Sequence, residues 1–298
     1  MRTLPLWYAE SRFLQSEALR AISDSTDSFV FGRMFKSPSN STYRDGNHLR
    51  LDFAHLEFPS DTQVSCADPP AKLAQIVARA YNYDDYEGGV RRSVMPRCVI
   101  DCTLNNTQDT EQIVQDFERH GFACERQIVD PVLCLRITPS IHKSVSQALQ
   151  TDDDSTIVCE RARARQLREL VACNARSFGY DAKGDVGWLD EKLRRQIEAP
   201  EQFCVLVARD GARVVSFVVI YTAVEKAPRL SLVQVVGTDP AYRRRGLAAR
   251  LLRHAVSRLR VGTSVYVDAG DHAAVALYQS LGFEEVGEIV TTECVLSN

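Results

Sequence analysis

From Thr156 to the C-terminus, apolar positions switch repeatedly between a two-residue and a helical period. Residues 156–161 (TIVCER) predict a strand, and Leu167, Leu170, Val171, Asn174 and Phe178 fall at helical spacing within a predicted helix over 163–178. A loop holding Gly179, Gly184 and Gly187 leads to a second helix, Trp188 to Ile197, which stops near Pro200. Three apolar runs follow: Phe203 to Ala208, Arg213 to Ala223 and Leu230 to Val236. Asp210-Gly211 between the first two predicts a hairpin. A long amphipathic helix from Gly246 to about Arg260 places Leu247, Leu251, Ala255 and Leu259 on one stripe. A strand (Ser264 to Asp268), a helix (Ala273 to Leu281) and two closing strands complete an α/β domain with a mixed sheet.

The stretch Gln147 to Ser155, QALQTDDDS, breaks this regularity with three successive aspartates. Like charges repel and build no core, so 147–155 reads as a linker between an N-terminal domain, 1–146, and a C-terminal domain, 156–298. A length of 298 residues suits two domains at roughly 150 each. With 45% apolar and 25% charged residues and a net charge of −3, the composition is that of an ordinary globular protein. The longest apolar run free of charges, Val214 to Val224, has 11 residues; a membrane span needs about 18 or more, so it reads as a buried strand and no membrane partner is expected. Glu10 and Arg12 interrupt the first residues before an apolar signal core could form. Nine cysteines without a CxxC pair or zinc-ligand spacing predict reduced core thiols, no metal, and a cytoplasmic protein.

The chemistry concentrates in Val236-Gly-Thr-Asp-Pro-Ala-Tyr-Arg243-Arg-Arg-Gly246-Leu-Ala248. From Pro240 to Val267 there are seven arginines and no acidic residue. Arginines at a helix N-terminus are electrostatically misplaced, because that end already carries about half a positive charge, so an anion is expected there. Backbone N–H groups with a glycine allowing close approach form a phosphate cradle. Neither GxxxxGK[ST] nor GxGxxG is present. Nucleic acid is disfavoured by the acidic balance and by the lack of aromatic residues among the arginines.

Arg243-x-x-Gly246-x-Ala248 after an apolar strand resembles the acetyl-CoA signature [Q/R]-x-x-G-x-[G/A] of the GNAT N-acetyltransferase superfamily. Asp271-x-x-Ala274-x-x-Leu277-Tyr278-x-x-x-Gly282-Phe283 resembles the family's second signature, in register after the next strand. The resemblance covers about 156–298 and implies a GNAT-like mixed twisted sheet flanked by helices, with acetyl-CoA as co-substrate. It implies that the pyrophosphate rests on Arg243, Arg244, Arg245, Gly246, Leu247 and Ala248. It also implies that the pantetheine arm pairs with Val235, Val236 and Gly237, and that the N–H near Val236 polarises the thioester carbonyl. An amine acceptor then attacks directly, and Tyr278 is the candidate acid toward the departing thiolate. A phenol's pKa near 10 lies about 1.5 above a thiol's, so a hydrogen bond is the safer expectation than full transfer. Asp271 stands where the family often has Asn, which puts its contact to the cofactor in question.

Some relatives carry a general base near the start of the strand before the arginine loop; here that region reads Leu230-Ser-Leu-Val-Gln234. Glu225 is the candidate base, with Asp181, Asp185 and Asp190 as further carboxylates on the acceptor side; His254 and His272 are weaker candidates. In the first half, Phe117-Glu-Arg-His-Gly121-Phe122, between strands Arg97 to Asp101 and Val132 to Ile137, echoes Tyr278 to Phe283. Asp68-Pro69 and a helix Ala71 to Tyr81 echo Asp239-Pro240. The first half thus reads as an α/β domain, and the echo as either a degenerate second copy or a chance likeness, since Gly-Phe after a helix is a common way to enter a strand. The resulting expectation is an N-acetyltransferase acting on a small-molecule or protein amine; the alternative is a non-catalytic module that binds or senses coenzyme A.

Overall fold

The computed structural model describes residues 5–29, 32–36, 48–52, 97–103, 107–151, 156–180 and 186–296. Asp68 to Tyr81, Cys66, Asp181, Gly184 and Asp185 lie outside the described residues. The chain forms two compact units, Met1–Pro131 with Gly287–Asn298, and Val132–Val286.

The first unit begins with α1 (Leu6–Ile22), which buries Tyr8, Leu14, Ala18 and Ile22. Its strands are β1 (Ser25–Phe29), β2 (Gly32–Lys36), β3 (His48–Asp52) and β4 (Arg97–Thr103), followed by α2 (Thr107–Arg119) and the start of β5 (Phe122–Arg136). The C-terminal part of β11 (Glu284–Leu296) pairs antiparallel with β4, Cys294 opposite Cys98. Strand order is β1-β2-β3-β4-β11-β5. Asp101 on β4 is fully buried and is held by Arg12 at 3.1 Å, by Arg50, and by Thr291 Oγ1 at 2.9 Å. Desolvation would raise its pKa, but the Arg50 and Arg12 guanidiniums outweigh it and keep the carboxyl below its ordinary range.

The second unit contains the end of β5, α3 (Pro139–Thr151), β6 (Ile157–Arg161), a 3-10 turn at Ala164–Gln166 and α4 (Leu167–Phe178). Then come α5 (Gly187–Glu198), β7 (Phe203–Asp210), β8 (Arg213–Thr222), β9 (Leu230–Thr238), α6 (Leu247–Val256), β10 (Ser264–Asp268) and α7 (His272–Ser280). Strand order is β5-β10-β9-β8-β7-β6. The sheet is mixed: β10 runs parallel to β9 and antiparallel to β5. Leu247, Leu251, Leu252, Ala255 and Val256 of α6 pack onto Val218, Ile220, Val233 and Val265 of the sheet, because the helical stripe and the alternate strand positions present matching apolar faces.

Three expectations need correction. The expected seam at 147–155 does not divide the units: residues 147–151 finish α3, whose Ile141 and Val145 pack against the second unit's core. The division falls at Pro131/Val132, because residues 132–136 of β5 pair with β10. The two closing strands are one, β11. Not all cysteines are reduced: Cys124 and Cys294 form a disulfide, since β5 and β11 bring their Cα atoms to 4.1 Å. Among the described residues no helix is long and apolar enough to cross a membrane.

Candidate active site

The site forms where β9 stops pairing with β10. Parallel pairing covers only Leu230, Ser231 and Leu232 of β9. Two residues later β9 bulges: Val233 faces Ile220 and Val235 faces Val219, so Gln234 has no residue opposite it on β8. Beyond that point β9 keeps β8 on one edge only. The Asp239 N–H donates to Val215 O at 2.9 Å, which fixes the parity of the ladder. By alternation the N–H and C=O of Val236, opposite Val218, turn away from β8 toward the side left open by β10.

A cavity of about 690 Å³ fills this fork; its lining includes Phe178, Val236, Gly237, Arg244, Gly246 and Leu247. Gly237 has a packing reason, because a Cβ there would sit 2.5 Å from Phe217 Cε1 and 3.1 Å from Ser177 Cβ. The glycine lets the end of α4 and the β8 ring close on the strand.

The loop between β9 and α6 is locked from behind. Asp239, with 2% exposure, accepts from Arg176 Nε at 2.6 Å, Arg213 at 2.8 Å and the Ala241 N–H at 3.1 Å. Burial alone would raise its pKa, but the Ala241 N–H and the two guanidiniums hold it below the ordinary value. The loop ends in two left-handed residues, Arg244 (φ 64°) and Gly246 (φ 75°). Gly246 is the N-cap of α6, no side chain caps that helix, and a Cβ on Gly246 would meet nothing within 4 Å. The first N–H groups of α6 therefore open onto the cavity at the positive end of the helix dipole.

The three arginines have different positions. Arg243, exposed and lining the cavity, donates to Ser177 O at 2.8 Å and Thr238 O at 3.3 Å, so its side chain anchors the loop to α4 and β9. Arg245 lies over the Tyr242 ring at 4.8 Å. Arg244 is exposed and lines the cavity. An exposed guanidinium, uncapped N–H groups and open space at Gly246 fit a diphosphate.

Asp271, Ala274 and Leu277 of the α7 region also line the cavity. The Asp271 carboxylate accepts from the Ala274 N–H at 2.6 Å and so caps α7, a task Asn or Asp performs equally. Tyr278, next to the cavity-lining Leu277, does not itself line the cavity: it is 3% exposed and packs in the core at 5.3 Å from the Phe283 ring. Burial, reinforced by Asp271, raises its phenol above the ordinary pKa, so it keeps its proton. Val235, Leu247 and Ala248 sit on β9 and the first turn of α6 as expected. Glu225 does not join them: it is exposed in the turn between β8 and β9 and does not line the cavity. Asp190 is exposed in the first turn of α5. Sequence reading missed the Gln196–Gln234 contact, 2.8 Å across from α5 to the bulge, and the anchoring role of Asp239. Only Gln234's place just before the loop hinted at the first.

Residues 160–283 match the family model described as acetyltransferase (GNAT) family. Residues 160–283 carry a GNAT domain. N-alpha-acetyltransferase RimI of Mycobacterium tuberculosis is 36% identical over 106 residues, which cover 35% of this chain and 66% of that protein. Mycothiol acetyltransferase of Nocardiopsis dassonvillei is 33% identical over 144 residues, 42% of this chain and 43% of that protein. The chain thus spans less than two thirds of either relative. Among solved structures, a GCN5-related N-acetyltransferase from Kribbella flavida superposes with a TM-score of 0.54 at 14% identity, covering 97% of this chain and 96% of that one. At that identity the likeness is one of fold. The matched residues 160–283 include β9, α6 and the cavity between them, while the outer strands of the first unit lie beyond the match.

Proposed function

We propose that this chain is an acetyl-CoA-dependent N-acetyltransferase whose acetyl donor binds in the β9–α6 cavity. One observation carries the reading: a strand edge left unpaired beside an uncapped, glycine-opened helix N-terminus. The edge matches an extended amide-bearing arm, and the helix start matches a diphosphate; coenzyme A has both in one molecule. Bound there, it supplies a thioester for acyl transfer.

The chain's own residues do the rest. The N–H groups of Gly246, Leu247 and Ala248, with the exposed Arg244, hold the diphosphate. Arg243 and Asp239 keep that loop in place through Ser177 and Arg176. Val235 to Gly237 align the arm, and the Val236 N–H points at the carbonyl where negative charge develops. Tyr278, protonated throughout the neutral range, donates a hydrogen bond toward the sulfur that departs. The acceptor is an amine, consistent with the name of the N-alpha-acetyltransferase relative. Among the described candidate carboxylates only Asp271, which caps α7, lines the cavity, so this reading assigns no general base within it.

The first half supports a second, degenerate copy. The order β4-α2-β5 parallels β10-α7-β11, Gly121 (φ 86°) matches Gly282 (φ 88°), and the Phe117–Phe122 rings at 5.0 Å match Tyr278–Phe283 at 5.3 Å. Phe117 has no hydroxyl, so that copy lacks the proton donor.

Calorimetric titration with acetyl-CoA and a thiol-release assay over a panel of amines test this reading. Binding with amine-dependent thiol release is the expected result. Binding without release on any amine points to a coenzyme A sensor, and no binding removes the reading.

A further inference from the structure

The Gln196–Gln234 pair joins α5 to the β9 bulge, two residues before the cavity-lining Val236, and has no part in the reading above. Gln196 lies on the sheet-facing side of α5 with Leu189 and Leu193 and is fully buried. Its Nε2 donates to Gln234 Oε1 at 2.8 Å. Its own Oε1 is buried without a hydrogen-bond partner among the described residues, an arrangement protein interiors rarely keep. Gln234 is the extra residue of the β9 bulge, the kind of irregularity that re-aims a side chain beside an active site. It is partly exposed, one residue past the bulge's first pair and two before Val236.

We propose that Gln234, oriented by Gln196, is the specificity-determining residue on the acceptor side, donating from Nε2 to an oxygen carried by the acceptor close to its amine. This inference rests on the acetyltransferase reading above. The geometry assigns the polarity: with Oε1 held by Gln196, the outward atom of the carboxamide is a donor, and its complement is a carbonyl or hydroxyl oxygen. The distance sets the spacing. Two strand residues span about 6.6 Å, so an oxygen met by the Gln234 side chain lies only a few bonds from an amine attacking the carbonyl that the Val236 N–H polarises. The acceptor class is an amine with a neighbouring oxygen, such as an amino acid amide or an amino alcohol, in preference to a plain alkylamine. Gln196 is a positioning residue: it acts on the acceptor only through Gln234.

The full chain, assayed by thiol release with glycinamide and with propylamine, tests this. The ratio of the two kcat/KM values, compared between wild type and variant, cancels the difference in amine basicity. Gln234→Leu is expected to lower the glycinamide preference about tenfold or more, because a site built to hydrogen-bond one group discriminates through that bond. Gln196→Met is expected to raise the glycinamide KM with kcat little changed. Acetyl-CoA affinity by calorimetry is expected to stay within about twofold in both, which separates positioning from misfolding. If Gln234→Leu loses that affinity, Gln234→Met, of similar length, gives the same comparison. A wild-type preference that survives in the Gln234 variant overturns the inference and leaves the acetyltransferase reading intact. Wild-type protein that binds acetyl-CoA but acetylates neither amine nor any other overturns both.

Discussion

Replacing Gly246 by alanine separates the strain of the loop from its use. Gly246 has φ 75°, and a Cβ there would meet nothing within 4 Å. The cost to folding is therefore backbone strain alone, about 1 kcal/mol for an L-residue in the left-handed region. That corresponds to a fall in Tm of about 2–4 °C for a domain of this size. The strain is present with and without ligand, so it cancels from the affinity. The methyl group, by contrast, stands in the space where a diphosphate would approach the first turn of α6. Losing one charge-assisted hydrogen bond is worth about 1.5–3 kcal/mol, or at least about a tenfold rise in Kd for acetyl-CoA. Gly211→Ala is the control: that glycine has φ 58° in the hairpin between β7 and β8, equally open space, and no place in the cavity. Differential scanning fluorimetry and calorimetric titration on both variants are the assays. Equal losses of stability, with weakened binding only at Gly246, are expected. Unchanged affinity in Gly246→Ala refutes the cradle.

Other consequences follow from the same structure. Gly237→Ala drives a methyl group to 2.5 Å from the Phe217 ring; overpacking costs about 1–3 kcal/mol, visible as a lower urea midpoint, and an unshifted midpoint contradicts the close packing of α4 on β9. Tyr278→Phe removes a hydroxyl from a ring that is 3% exposed, so kcat is expected to fall at least about a hundredfold with acetyl-CoA affinity retained; a full-rate variant removes the proton-donor role. Asp101 and Asp239 both have lowered pKa values in the folded protein. Their contribution to stability is complete above the ordinary carboxylate value of about 3.9 and is lost as pH falls through the lowered values. Urea midpoints measured from pH 7 down to pH 2 are expected to drop most steeply below pH 4, and Asp101→Asn to flatten that drop; identical slopes in the variant contradict it.

Where the sequence was legible, the reason was local periodicity. The strand Ser264–Asp268 lies as expected, and α4, α5 and α7 end within a residue or two of their periodic patterns. The arginine loop was visible as charge placed against a helix dipole. What each guanidinium does was not: Arg243 donates to carbonyls of Ser177 and Thr238, a pairing that depends on the approach of α4. Nor was β11 legible as one strand. A glycine inside it reads as a break, yet at Gly287 the Trp7 ring lies where a Cβ would be. The disulfide depends on the placement of two strands 170 residues apart in sequence, beyond any spacing rule. The Gln196–Gln234 contact requires the bulge, which no local pattern announces.

The most direct test of the whole account is a crystal structure with coenzyme A. It predicts the diphosphate on the N–H groups of Gly246 to Ala248 and the pantetheine arm lying along Val235 to Gly237, with its sulfur end near Tyr278. Nucleotide bound elsewhere, with the β9 edge uncovered and the α6 N-terminus empty, would contradict it.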